Sequence, residues 1–161
     1  MIAREIVATL QGREPGEQVL AALEMLLDND AHLLAVNANE RSITHRFGSY
    51  LQTQFHDMHV DCEYNRDGID PKRLMNFGLV SADDTEARTV FPDVIVHRRG
   101  RNNANYLVIE FKKDTNPVPL KVDAAKLQGF QADDRLRYRF ALLIVLRTGA
   151  DPGIKLVQWV G

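Results

Sequence analysis

Apolar residues recur with helical spacing in three parts of the chain. Residues 16–27 carry leucine and valine three and four positions apart, which predicts an amphipathic helix. Residues 38–56 repeat apolar side chains at intervals of four, and residues 122–138 begin after a proline-rich stretch in which a helix cannot start. We therefore predict two helices before the first strand and one late in the chain.

Strands are predicted from alternating or continuous apolar runs. Residues 59–64 alternate polar and apolar positions, as in a half-buried strand. Residues 91–96 and 107–112 are apolar runs interrupted by a few charged side chains. Residues 140–146 form an unbroken apolar run, which is typical of a central strand covered on both faces, and residues 154–160 complete the set.

The order of these elements predicts an α/β fold: two helices, a strand, a long loop, two strands, a helix and two strands. The loop is predicted over residues 65–90, where charged and turn-forming residues are concentrated. A chain of 161 residues is long enough for one full core and short for two. We therefore expect a single domain spanning residues 1–161.

Composition is that of an ordinary globular protein, with 45% apolar and 26% charged residues. The single cysteine, Cys62, permits no intramolecular disulfide, and no segment has the pattern of a signal peptide or a membrane span. We expect a cytoplasmic protein that does not enter a membrane. The net charge of −2 gives no overall support for nucleic-acid binding, although basic side chains do cluster locally.

Three charged residues lie in otherwise apolar strands. Asp93 begins one strand, and Glu110 and Lys112 are two positions apart in the next, so these two side chains project from the same face. Burying such groups is costly unless they are paired or bind a metal. Carboxylates suit a hard cation such as Mg²⁺, and an adjacent lysine can orient water, which together is the chemistry of phosphodiester hydrolysis.

The residues Pro92-Asp93 and Glu110-Phe111-Lys112 resemble the signature of the PD-(D/E)XK nuclease superfamily, which includes restriction endonucleases and Holliday-junction resolvases. The resemblance covers residues 38–146. It implies a restriction-endonuclease-like core with a central mixed β-sheet flanked by helices, and the first predicted helix is then an extra N-terminal element.

The resemblance also implies an activity and a set of roles. The activity is hydrolysis of DNA phosphodiester bonds, as an endonuclease, with Mg²⁺ as cofactor and Mn²⁺ able to replace it. Asp93, Glu110 and the carbonyl of Phe111 are implied metal ligands, and Lys112 is implied to position the attacking water. Many members add a glutamate from the helix before the sheet, and Glu40 is the matching candidate. Asn37 with Glu40 three positions later also resembles a capping box, which is the alternative role.

Further candidates are less specific. Glu63 is a candidate accessory acid, or a partner of a nearby cation. Lys126 and Gln128 of the late helix match positions from which some members reach the metal-bound water. Four basic residues are candidates for nucleic-acid phosphate contacts: Arg98, Arg99, Arg101 and Lys113.

Three alternatives stay open at this point. Glu110 and Lys112 could form a structural ion pair with each other or with Asp93. The fold could serve as an inert binding or assembly module. The same site could also belong to an RNase or a structure-specific resolvase. No separate recognition domain is visible, so a homodimer or a partner protein is an open alternative to a lone monomer.

Overall fold

The computed structural model describes residues 1–64 and 91–161 in full. Between them it describes only the backbone of four two-residue strands, so most of the predicted loop over residues 65–90 lies outside the described residues. These short strands form two antiparallel pairs. They are β2 Arg66–Asp67 with β3 Asp70–Pro71, and β4 Arg73–Leu74 with β5 Arg88–Thr89.

Three helices precede the sheet: α1 Arg4–Leu10, α2 Gly16–Ala35 and α3 Glu40–Gln52. Helix α1 was not predicted, because seven residues with two buried side chains give no periodic signal. Helix α2 continues beyond the predicted end at residue 27. Helix α3 is shorter than predicted. It follows its N-cap, Asn39, whose side chain accepts a hydrogen bond from the Arg41 amide at 2.8 Å.

Five strands form one mixed sheet in the order β1-β6-β7-β8-β9. The pair β7/β8 is parallel and its connection is helix α4, whereas the other neighbouring strands are antiparallel. The elements are β1 His59–Cys62, β6 Val94–His97, β7 Leu107–Lys113, α4 Leu120–Ala132, β8 Phe140–Arg147 and β9 Gly153–Val160. This confirms the predicted α/β class with a central mixed sheet flanked by helices.

The sheet separates two apolar cores. Alternate side chains of β6, β7 and β8, such as Val94, Ile109 and Ile144, pack with α1, α2 and α3. The intervening side chains, such as Ile95 and Val108, pack with α4. The alternation explains why these strands read as continuous apolar runs. In the part of the chain that the structure describes, no helix is long and apolar enough to cross a membrane.

Unequal strand lengths create an opening in the sheet. Strand β6 pairs with β7 only from Leu107 to Ile109, where Ile109 faces Val94. Strand β7 continues to Lys113 and stays paired with β8 on its other side. The last part of β7 therefore has no β6 residue opposite it, and its edge groups must find other partners.

Candidate active site

Two carboxylates occupy the edge of β7 that β6 leaves uncovered. Asp93, immediately before β6, accepts a hydrogen bond from the Phe111 amide through Oδ2 at 2.7 Å. The Glu40 carboxylate, at the start of α3, lies near enough to the Lys113 backbone amide for this amide to oppose the rise in its pKa. Amides of alternate residues point to the same strand edge, so the two acids lie side by side along β7. The Phe111 carbonyl points to that edge as well, because it shares the direction of its own amide.

Glu110 and Lys112 face helix α4, and both are almost fully buried, at 3% and 4% exposure. Each has a partner on α4. Lys126 Nζ lies 2.8 Å from Glu110 Oε2, and Lys112 Nζ lies 2.6 Å from Asp123 Oδ2. Lys126 also donates to the Phe91 carbonyl at 2.9 Å. Asp123 and Lys126 are three positions apart and therefore share one face of the helix.

The pKa values of three acids in this cluster, Glu110, Asp93 and Glu40, are raised. Burial raises the pKa of Glu110 to about 8, and the charge of Asp93 adds to this rise although Lys126 opposes it. Burial raises the pKa of Asp93 as well, and the Phe111 amide only partly offsets the effect. The pKa of Glu40 is raised by burial and then by the charge of Asp93. Burial is the first cause at each of the three acids, and the nearby lysines offset it only in part.

One carboxylate oxygen of Glu110 has no hydrogen-bond partner among the described residues. Oε2 contacts Lys126, whereas Oε1 is buried and has no hydrogen-bond partner within the described ranges, 1–64 and 91–161. An unsatisfied buried oxygen costs free energy, and a cation contacting it would remove that cost. Carboxylate and carbonyl oxygens are the ligands that Mg²⁺ prefers. Asp93, Glu110 and the Phe111 carbonyl therefore fit a divalent cation. They supply oxygen ligands and negative charge, and Glu110 has one oxygen that is not used by another described residue.

Among the described residues, no three His, Cys, Asp or Glu side chains converge closely enough to form a complete metal-binding group. Asp93 is bound to the Phe111 amide, and Glu110 is bound to Lys126. A cation held by both acids would have to compete with these contacts.

Two alternatives from the sequence are wrong. Glu110 and Lys112 do not pair with one another; each pairs with a residue of α4. Glu40 does not act in a capping box with Asn37, because the helix begins at Glu40 itself and Asn39 is its N-cap. Asn37 lies outside the helix with a φ of 52°.

The accessory candidates differ in how they relate to the cluster. Glu63 forms an ion pair with Arg41 at 2.8 Å, and its charge still contributes to the raised pKa of Asp93. Gln128 is exposed on α4, whereas Lys126 reaches Glu110. Asp123 was not singled out from the sequence. Its spacing of three from Lys126 was the available signal, but nothing local assigns it to Lys112.

The basic candidates lie in two places. Lys113 donates to the Ala38 carbonyl at 3.2 Å, at the start of α3. Arg98, Arg99 and Arg101 follow β6 at the end away from Asp93, beside an open cavity of about 440 Å³. Arg99 is already bound to Asp61 through two hydrogen bonds. Phosphate binding by this turn therefore stays a prediction for Arg98 and Arg101 in particular.

Comparisons of the chain with protein-family models, with curated proteins and with solved structures found no match. The resemblance therefore depends on Pro92-Asp93 and Glu110-Phe111-Lys112 alone.

Proposed function

We propose that this protein is a Mg²⁺-dependent nuclease with a restriction-endonuclease-like core, which hydrolyses DNA phosphodiester bonds. One observation carries the proposal. Asp93 lies beside the part of β7 that β6 leaves uncovered, and Glu110 and Lys112 belong to that part. Asp93 acts on Glu110 through its charge, and Glu110 keeps a buried oxygen without a partner among the described residues. Structural ion pairs normally satisfy both oxygens of a buried carboxylate, so an unused ligand atom favours a role in binding.

In this proposal each residue has a defined task. Asp93, Glu110 and the Phe111 carbonyl hold the cation, Mg²⁺ or in its place Mn²⁺, and Glu40 supplies a further carboxylate. Bound there, the cation lowers the pKa of water and neutralises charge on the phosphate. Lys112 is buried beside the acids and stabilises negative charge on the attacking water or on the phosphate. Its low exposure strengthens this interaction, because little water screens it.

Two residues of α4 are positioning residues in this scheme. Asp123 contacts the Lys112 ammonium at 2.6 Å and so fixes where its charge lies. Lys126 contacts Glu110 and at the same time the Phe91 carbonyl, which ties the acid to the segment that carries Asp93. Neither residue needs to contact the substrate to affect catalysis, because a small displacement of a reacting group lowers the reaction rate strongly.

A second function is favoured by one observation. Both lysines already have acidic partners, and the described acids do not converge as a complete metal site. An inert module that uses the nuclease fold for binding or assembly would have this arrangement. Titration with Mg²⁺ or Mn²⁺ separates the two, because binding at the native site raises the melting temperature. An inert module shows no rise that depends on Asp93.

The direct test is a cleavage assay on plasmid, linear, branched and single-stranded DNA and on RNA, with and without Mg²⁺. We expect metal-dependent cleavage of DNA that Asp93→Asn abolishes. The control Asp61→Asn, in β1, should retain cleavage, because Asp61 contacts His97 and Arg99 at the other end of β6. Cleavage of RNA or of branched substrates alone would favour the RNase or resolvase alternative. Equal activity in the Asp93→Asn protein and the wild type would overturn the proposed site.

A further inference from the structure

Phe91 is an exposed aromatic residue beside the candidate active site. It lies two positions before Asp93, and its exposed fraction is 50%. Exposure alone identifies no partner, because single apolar side chains are common on protein surfaces. What distinguishes Phe91 is the set of contacts that its backbone makes. Among the described residues, the other exposed large apolar side chains are not aromatic: Met1, Val36, Val118 and Leu120.

The backbone of Phe91 belongs to the network that holds the acids. Lys126 Nζ donates one hydrogen bond to the Phe91 carbonyl at 2.9 Å and another to Glu110 Oε2 at 2.8 Å. One ammonium group therefore joins the residue that carries the ring to an acid proposed to hold the cation. Two positions further on, Asp93 accepts a hydrogen bond from the Phe111 amide at 2.7 Å. The short segment that begins at Phe91 is thus fixed against both β7 and α4.

The residue that follows Phe91 restrains it as well. Pro92 is buried, and the residue before a proline is confined to extended conformations. Two side-chain torsions then decide where the ring lies, so that covering the ring costs little conformational entropy. An apolar ring on a restrained backbone therefore lies next to the proposed cation site.

The surroundings of Phe91 favour a nucleotide over a protein partner. The side chains of its network, Lys126, Glu110 and Asp93, are all ionisable, whereas the cores of protein–protein interfaces are depleted in charged residues. A nucleotide combines a charged phosphate with a flat base, and aromatic side chains stack on bases of every type. The phosphate suits the proposed cation, and the base suits the ring.

Stacking also decides the pairing state of the base. Inside a duplex each base is already stacked on its neighbours, and it becomes accessible only when it is extruded. We propose that Phe91 stacks on one unpaired base of the substrate strand, next to the scissile phosphate. The inference rests on the proposed nuclease function and narrows it, since the substrate is then a nucleic-acid strand that is unpaired at this position. Phe91 binds the strand and takes no part in bond breaking.

The test measures binding of a labelled ten-nucleotide DNA strand by fluorescence anisotropy. Binding is measured in EDTA and again with Ca²⁺, so that the result does not depend on cleavage. Two further probes isolate the base: a strand of the same length without bases, and a duplex whose ends are closed by base-free linkers.

Three variants of Phe91 separate the ring from its apolar character. Phe91→Ala removes the ring, Phe91→Leu keeps an apolar group without a flat face, and Phe91→Trp keeps both and is fluorescent. Val36→Ala and Val36→Trp are the matched controls, at an exposed apolar position just after α2.

We expect Phe91→Ala to weaken binding of the single strand roughly five- to thirtyfold, because one stacked base is lost. Phe91→Leu should have an intermediate effect, and Phe91→Trp and Val36→Ala should bind like the wild type. The salt slope should stay the same in all of them, because no phosphate contact is removed.

Phe91→Trp also reports the contact directly. The single strand should quench the added tryptophan, whereas the base-free strand and the closed duplex should not. The wild type contains one tryptophan, Trp159, which gives the background, and Val36→Trp controls for an added exposed tryptophan. This measurement does not depend on the stability of Phe91→Ala.

Four outcomes would each overturn the stacking role. They are wild-type affinity in a folded Phe91→Ala protein, equal quenching of Phe91→Trp by the base-free strand, equal quenching by the closed duplex, and no binding of the single strand. A change of oligomeric state in Phe91→Ala, measured by sedimentation, would overturn it too, since a second copy of the chain would then cover the ring.

Cleavage with Mg²⁺ is read separately. A protein that stacks Phe91 on single strands yet cuts nothing refutes the nuclease and keeps the base-binding site. A protein that cuts single strands with the same kcat and KM after Phe91→Ala refutes the stacking role alone.

Discussion

Two clusters of charged residues lie at opposite ends of β6, and similar residue types have different roles in them. At the end of the strand, Asp61 accepts hydrogen bonds from His97 Nε2 at 2.8 Å and from two nitrogens of Arg99. At its beginning, Asp93 and Glu110 share the space with other acids, and one oxygen of Glu110 has no described partner. The Asp61 carboxylate has three hydrogen-bond contacts, whereas one oxygen of the buried Glu110 carboxylate has none among the described residues.

The pKa values show the same contrast. Burial alone would raise the pKa of Asp61, but the hydrogen bonds from Arg99 and His97 outweigh burial and lower it. At Glu110 burial dominates, and the pKa is raised to about 8 although Lys126 lies 2.8 Å away. An ion pair therefore does not by itself keep the pKa of a buried carboxylate low. The Glu110 end of the strand is where we propose that a cation binds.

Replacing each of the two aspartates by asparagine, in separate variants, should give the largest difference in cleavage rate. Asp93→Asn should reduce metal-dependent cleavage by roughly a hundredfold or more, because an acid proposed to hold the cation is lost. Asp61→Asn should leave the cleavage rate of the folded protein close to the wild-type value. Rates measured under saturating Mg²⁺ on one substrate decide the matter. Similar rates for both variants would mean that the two clusters do not differ in function.

Removing Lys112 tests whether its ion pair with Asp123 contributes to catalysis or only to stability. Lys112→Ala leaves Asp123 without its partner, and we expect a loss of about 3 kcal/mol in unfolding free energy together with loss of cleavage. Arg99→Ala, at the half-exposed pair, should cost only about 1 kcal/mol. The measurement is urea denaturation beside the cleavage assay.

A double variant separates the two roles of Lys112. Lys112→Met with Asp123→Leu removes both charges of the pair and should recover most of the lost stability. Apolar residues of similar volume can often replace a buried ion pair without destabilising the fold. Cleavage should stay absent if Lys112 stabilises charge in the reaction. A double variant that is stable and cuts DNA normally would show that the lysine is only structural.

The sequence predicted the strands of the central sheet better than it predicted the contacts around the site. Strand β8 was predicted over residues 140–146 and runs from Phe140 to Arg147, because a continuous apolar run is a local signal. Asp93, Glu110 and Lys112 were also found locally, as charges within apolar strands. Both partners, Asp123 and Lys126, come from helix α4, which packs across the sheet. Lys126 was a candidate through the resemblance, whereas Asp123 was not singled out, because helical spacing alone does not tell which residues of α4 meet β7.

Stability should respond to pH in opposite ways at the two ends of β6. Folded Glu110 keeps its proton up to about pH 8, whereas the unfolded chain loses it near 4.5. The folded state therefore binds more protons in that window, and unfolding free energy falls as pH rises through it, by about 2–3 kcal/mol between about pH 5 and pH 7. Glu110→Gln should remove this fall.

Asp61 is the control for that experiment. Its pKa is lowered on folding, so the stability it contributes is present at neutral pH and is lost as pH falls through its folded pKa, below the ordinary value of 3.8. Asp61→Asn should therefore flatten only the acid limb of the stability profile. If Glu110→Gln leaves the limb between about pH 5 and pH 7 unchanged, the pKa of Glu110 is not raised in the folded protein.

The smallest expected effects concern the basic turn beside Asp61. Arg98 and Arg101 have no acidic partner among the described residues, whereas Arg99 is committed to Asp61. A true phosphate contact lowers the salt slope of DNA binding by about one unit when it is removed, without changing sequence preference. Arg98→Ala and Arg101→Ala should each do so, and Arg99→Ala should leave the slope unchanged while lowering stability. Binding titrations over a range of salt concentrations measure the slopes. Unchanged slopes for Arg98→Ala and Arg101→Ala would show that the turn is only a solvated surface, and that DNA contacts are confined to the Glu110 end of the strand.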